Sequence, residues 1–178
     1  AGVIRGAPLR VVRGPVTGLP IPADAEIAVE GWVREGVMCE EGPHGEAPGY
    51  YAGGQHMVPA IEVAAIYHRR DPILVGAPPA KPPHDFSYSM AVLYSALTHD
   101  ALEGAGLPGV SQVGFPEEGS GRLLQIVAIK QRYFGHSTQV GLVASQVASV
   151  GYISRWIVVV DDDVDPTDIH DVIWAMGT

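Results

Sequence analysis

Three carboxylates and an imidazole crowd one short segment, Glu40-Glu41-Gly42-Pro43-His44-Gly45-Glu46-Ala47-Pro48-Gly49-Tyr50-Tyr51. The Gly-Pro-His-Gly between Glu41 and Glu46 must turn, so both carboxylates can face one site. Two neighbouring carboxylates cannot both ionise cheaply. One keeps its proton to higher pH and becomes a donor near neutrality, and an arginine beside them would hold the other ionised. The chemistry on offer is therefore general acid–base catalysis. A solvated acidic surface loop is the alternative, because exposure is the default for such residues.

Other constellations are weaker. Asp161-Asp162-Asp163-Val164-Asp165 follows an apolar strand and could offer oxygen ligands to a hard cation. It lacks the glycine and glutamate of an EF-hand loop, and Asp165 is expected to cap the next helix. No histidine pair has the spacing of a helical zinc site, and His136 reads as a structural contact, with Ser137 a possible helix cap. Arg69 and Arg70 could bind an anion, although pairing with nearby acids is the plainer expectation. Gly119-Ser120-Gly121-Arg122 reads as a turn without the lysine of a phosphate loop. Cys39 beside Glu40 and Glu41 is disfavoured as a nucleophile, since negative neighbours raise a thiol's pKa.

The elements that would position these groups fall into two halves. Residues 5 to 22 are punctuated by Gly and Pro, with a short strand at Leu9–Val12. Glu26–Val33 and Val58–His68 read as strands, separated by a long loop over residues 36 to 57. A Pro-rich connector follows, placed at residues 77–87. Beyond it come a helix over Tyr88–Glu103, strands at Val110–Phe115, Leu123–Lys130 and Arg155–Val160, and helices over Ser137–Val150 and Pro166–Met176. The expected division is 1–76, mostly β and part of a small barrel, and 88–178, an α/β layer.

Composition excludes several classes. Hydrophobic residues make up 47% and charged residues 17% of the 178, with a net charge of −9. A nucleic-acid footprint would be basic, and an anionic membrane would repel this surface. No apolar run approaches the ~18 residues of a membrane helix. A single cysteine excludes a disulfide framework. The chain opens on Ala1 without Met or a signal pattern and stops at Thr178 while still reading as helix, so we expect a portion of something longer.

The segment Glu41 to Tyr51 resembles the glutamate-rich active-site loop of the UbiD-like decarboxylases, which use prenylated FMN. Further segments match in the same order: Gly2 to Pro8, Ile21 to Ile27 with Glu30-Gly31, Pro59 to Val63 with Arg69 to Ile73, Gly76 to Pro83, Trp156 to Pro166, and Asp171 to Ala175. The resemblance implies an α+β chain in which a split β-barrel flavin-binding domain is followed by part of an α/β oligomerisation domain. It implies reversible decarboxylation of an aromatic or α,β-unsaturated carboxylic acid in a cytoplasmic enzyme. It assigns Glu46 as donor of the proton to the carbon that loses CO2, and Glu41 as the residue tying an arginine into a Glu-Arg-Glu network. Ala47, beside the donor, becomes a pocket-shaping residue. A flavin prenyltransferase would supply the cofactor, and Mn2+ and K+ would accompany it. The family's arginine and metal ligands fall upstream of Ala1, and Arg34, Arg69 and Arg70 do not match that arginine. No metal site is assigned within the chain, and its cofactor-binding residues are left open. The assembly expected is a homodimer, a higher oligomer or a pairing with a complementary chain. The rival reading is a non-catalytic assembly or regulatory subunit with the same fold; retention of both Glu41 and Glu46 favours the enzyme.

Overall fold

The computed structural model describes residues 2–46, 48–51, 53–77, 80–147 and 153–178. The chain divides into two compact units: Ala1–His44 with Gly53–Gly76, and Gly45–Ala52 with Ala77–Thr178. Among the described residues no helix is long and apolar enough to cross a membrane.

The first unit opens with a one-turn helix α1 (Gly2–Arg5) and is otherwise β. Strands β1 (Val11–Arg13) and β2 (Pro20–Pro22) form one antiparallel pair, and β3 (Ile27–Glu41) and β4 (His56–His68) form another. β3 runs well beyond Val33, and the long loop expected over residues 36 to 57 shrinks to residues 42–55. The reason is a bulge. Val33 pairs with Ile61 but Met38 pairs with Pro59, so β3 spends several extra residues on a short stretch of β4. Gly36, at φ +77°, makes the bend without steric cost. The inserted residues break the period-2 alternation, which is why the strand's second half is invisible to a pattern reading. Val29, Val33, Ile61, Val63 and Ile66 stay exposed on this hairpin. An isolated two-stranded ribbon is marginal in water.

One buried carboxylate ties these pieces together. Glu30 on β3 is only 4% exposed. It accepts the backbone N–H of Val16 at 3.2 Å and of Thr17 at 2.8 Å, together with the Thr17 hydroxyl and, at 2.8 Å, the Tyr67 hydroxyl. The Thr17 hydroxyl, then the backbone N–H groups and Tyr67, hold its carboxyl at about 2 against the opposing effect of burial. The same bond, with burial, raises the Tyr67 phenol.

The second unit is a sheet with helices on both faces. Strands β5 (Val110–Gly114), β6 (Leu124–Ile129) and β7 (Trp156–Asp161) lie in that order, β5 antiparallel and β7 parallel to β6. Helices α2 (Asp85–Gly104) and α3 (His136–Ala144) cover one face, where Leu102, Val113, Phe115, Val127, Ile129 and Val140 pack together. Helix α4 (Ile169–Gly177) covers the other through Val172, against Ile126 and Val164. β6 is central and covered on both sides, which is why its sequence is a nearly unbroken apolar run. Ile126→Val is expected to cost about 0.5–1.5 kcal/mol. Urea unfolding followed by Trp156 and Trp174 emission would read that loss.

Helix ends depart from the sequence expectations. α2 begins at Asp85, inside the stretch read as connector, because His84 is its N-cap: the ring Nδ1 accepts the Ser87 N–H at 3.2 Å while the Ser87 hydroxyl accepts the His84 N–H. A histidine with an unprotonated ring nitrogen performs the task usually given to Ser, Thr, Asp or Asn. α4 begins at Ile169 and not at Pro166, with Asp168 and not Asp165 as cap. Asp165 instead accepts the N–H and hydroxyl of Thr167, closing the preceding turn, and those bonds hold its carboxyl below the usual range. The cap of α3 is Gly135, which leaves Ser137 inside the helix, and α3 ends at Ala144, short of the expected Val150. Val150 lies outside the described residues.

Candidate active site

The acidic segment joins β3 to β4. Glu41 is the last residue of β3, and the register sets His56, the first residue of β4, directly opposite. Its Oε2 lies 3.2 Å from His56 Nε2. The other ring nitrogen, Nδ1, lies 3.3 Å from the Gly54 carbonyl, which can only accept. The ring thus has a polar neighbour on each side. Both partners are about half exposed, so the pair contributes little to stability. Glu40 faces Met57 in the register and, by strand alternation, projects from the opposite side.

Beyond His44 the chain enters the second unit. Glu46, half-buried, opens a tight turn: its N–H donates to the Tyr50 carbonyl at 3.0 Å, and the Gly49 N–H donates back to the Glu46 carbonyl at 2.8 Å. Gly49 has φ +91°, and a Cβ there would approach the Lys81 Cα to 2.3 Å. Only glycine fits, so the turn is locked against the segment that leads into α2. Gly45, Gly49, Tyr50 and Tyr51 line a small cleft of about 300 Å³ beside it. Glu41 thus belongs to the first unit and Glu46 to the second. Ala47 lies outside the described residues.

Arg69 and His136, weighed above as candidates, have structural duties. Arg69 bonds Glu26 at 3.0 Å. Glu26 also accepts the Ile73 N–H at 3.1 Å, and that bond, followed by Arg69, holds its carboxyl below the ordinary range. The plainer expectation for this arginine, pairing with an acid, is the one realised. His136 is fully buried, and its Nδ1 accepts the Arg132 N–H. Among the described residues no three His, Cys, Asp or Glu side chains gather to hold a metal ion. Of the aspartates after β7, Asp165 closes a turn and Asp168 caps α4. Cys39 is a free, exposed thiol on β3. A separate cleft of about 500 Å³ between α2 and β5 is walled by Val92, Ala96, Phe115 and Pro116, and no residue of the acidic loop lines it.

Two residues of consequence lie outside any sequence motif. His56 is one of seven scattered histidines, and only the strand register brings it to Glu41. Glu30 lies within a strand pattern, and a glutamate among β-branched neighbours is its only signal, because a buried acid must find donors.

Comparison with known proteins follows the same two-part division. Residues 1–82 match the model of the 3-octaprenyl-4-hydroxybenzoate carboxy-lyase Rift-related domain (UbiD), and residues 87–178 that of its C-terminal domain. A phenolic acid decarboxylase of Bacillus subtilis is 33% identical over 179 residues, covering 100% of this chain and 37% of the relative. An uncharacterised protein of Aeropyrum pernix is 33% identical over 178 residues, covering 100% of this chain and 36% of the relative. Among solved structures, an evolved dimeric form of the UbiD-class enzyme HmfF from Pelotomaculum thermopropionicum, in complex with prFMN, superposes with a TM-score of 0.85 at 29% identity over 99% of this chain and 40% of that one. The closed form of the vanillic acid decarboxylase of Sedimentibacter hydroxybenzoicus gives 0.84 at 29% identity, over 99% and 37%. The chain therefore spans a little over a third of the length of the curated relatives it matches.

Proposed function

The chain belongs to the UbiD family of carboxy-lyases, and from that premise we propose that it carries the acid–base loop of a prenylated-FMN-dependent, reversible decarboxylase of aromatic or α,β-unsaturated carboxylic acids. The observation that carries this reading is the Glu41–Tyr51 segment itself. One carboxylate is anchored at a strand end by His56, and the other sits in a glycine-locked turn, five residues on. A solvated acidic loop needs neither device.

In this reading Glu46 gives its proton to the carbon that has lost CO2, and takes one from that carbon in the reverse direction. Glu41 stays ionised and orients the arginine of the network, which no arginine of this chain matches. The bound cofactor supplies the electron sink for the carbon that releases CO2. The residues present suit the reacting end of such a cofactor and not its phosphate. Glu40, Glu41 and Glu46 would repel an anion, and the described residues gather no metal-ligand cluster. Groups beyond these residues would hold the phosphate, with Mn2+ and K+.

The exposed apolar faces of the β3–β4 hairpin support closure of a split barrel over them in the whole protein. Assembly through the second unit, as a homodimer or larger oligomer, goes with the same reading. The test is the full-length protein co-expressed with a flavin prenyltransferase. Purification with a bound modified flavin and CO2 release from a cinnamic- or benzoic-type acid are expected. A full-length protein that takes up no flavin would overturn the proposal.

A further inference from the structure

We propose that His56 is the positioning residue for Glu41, its ring holding one carboxylate oxygen so that the other is aimed; this rests on the acid–base role assigned to the loop. Glu41 ends β3, and its side chain has several rotatable bonds and no neighbouring turn to hold it. The contact that aims it is His56 Nε2, at 3.2 Å from Oε2, across the last cross-strand pair. The ring's Nδ1 lies 3.3 Å from the Gly54 carbonyl. With Nε2 carrying its proton, the ring donates to Oε2 of the ionised carboxylate. Oε2 is held and Oε1 is left for the network.

The neighbouring titratable groups are Glu40, which projects from the other side of β3, and His44 beyond Gly42. On the facing strand and its approach, Gly54, Gln55 and Met57 are neutral. Loss of the contact frees the Glu41 side chain and should lower kcat with KM little changed, because substrate binding does not need this aim.

The test uses the full-length, cofactor-loaded enzyme. Glutamine places an amide N–H2 near the position of Nε2, whereas asparagine is too short to reach. His56→Gln is expected to keep kcat near the wild-type value, a rescue by the conservative donor. His56→Asn and His56→Ala are expected to lose about tenfold to a hundredfold in kcat, the scale of a misplaced catalytic group, with KM within about twofold. A second readout needs no turnover: the 15N resonance of His56 Nε2 should move in Glu41→Gln while Nδ1 stays. Wild-type kcat in His56→Ala, equal loss in His56→Gln and His56→Asn, or an unmoved Nε2 resonance would each overturn the inference. Failure of the underlying reading looks different, since Glu46→Gln would then turn over normally.

Discussion

Glu46→Gln is expected to fold, to bind the flavin, and to lose decarboxylation by about a hundredfold to ten-thousandfold, the range a positioned general acid contributes. The substitution changes one atom of the side chain and little of its shape. The turn that holds position 46 is built from backbone groups, the 46 N–H to the Tyr50 carbonyl and the Gly49 N–H to the 46 carbonyl, and neither depends on the carboxylate. What disappears is the transferable proton. The same variant should stop hydrogen–deuterium exchange at the substrate carbon, because exchange is the protonation step run in both directions. Steady-state CO2 release and proton NMR of substrate in D2O measure the two losses separately. Near wild-type turnover would mean that another group delivers the proton. Loss of CO2 release with exchange retained would place Glu46 outside the protonation step.

The second large effect concerns Glu30, and it is one of stability. Its carboxyl is held at about 2, below its ordinary 4.5, chiefly by the Thr17 hydroxyl. The folded first unit therefore holds fewer protons there than the unfolded chain between those values, and linkage fixes the sign. The stabilisation is fully present above about pH 4.5 and drains away as pH falls toward 2. Glu30→Ala removes the acceptor for the Val16 and Thr17 N–H groups and the Tyr67 hydroxyl at once, leaving buried donors unpaired. Glu30→Gln keeps a carbonyl acceptor but turns an N–H2 toward donors.

Hydrogen exchange of the full-length protein at neutral pH should show both variants losing protection over residues 14–17 and 27–33. β6 in the second unit should be unaffected. Between pH 4.5 and 2 the wild-type protection of that region should fall. In the variants, which have no carboxylate at position 30, the fall due to this group should be missing. Protection unchanged at neutral pH would show that the β1–β2 turn is held by something else. An equal fall in wild type and variants would show that other carboxylates govern acid sensitivity.

Much of the second unit was legible from the sequence. The apolar run of β6 and the valines and isoleucine of β7 announced buried strands, and the spacing of Leu93, Leu97 and Leu102 announced α2. These signals are local, carried by period and composition within one element. The acidic loop was legible as chemistry for a similar reason, since Glu41, Glu46 and the glycines between them lie within a few residues. Its boundaries were not. The bulge at Gly36 displaces the alternation, so Met38 to Glu41 carry no strand pattern of their own and are strand through their pairing with His56 to Pro59.

The sequence by itself determined the residue types of the loop, the order of strands and helices, and the family to which the chain belongs. Tertiary structure alone decided which side chains meet. His56 reaches Glu41 because two strands pair in one register. Glu30 becomes a fully bonded acid because a turn thirteen residues upstream folds onto it. His84 caps α2 because its ring nitrogen happens to be the acceptor in reach. The physical reason is common to all three. Periodicity and composition act along the chain, whereas the partner of a charged or polar group is chosen by packing between segments, and that choice has no local signature.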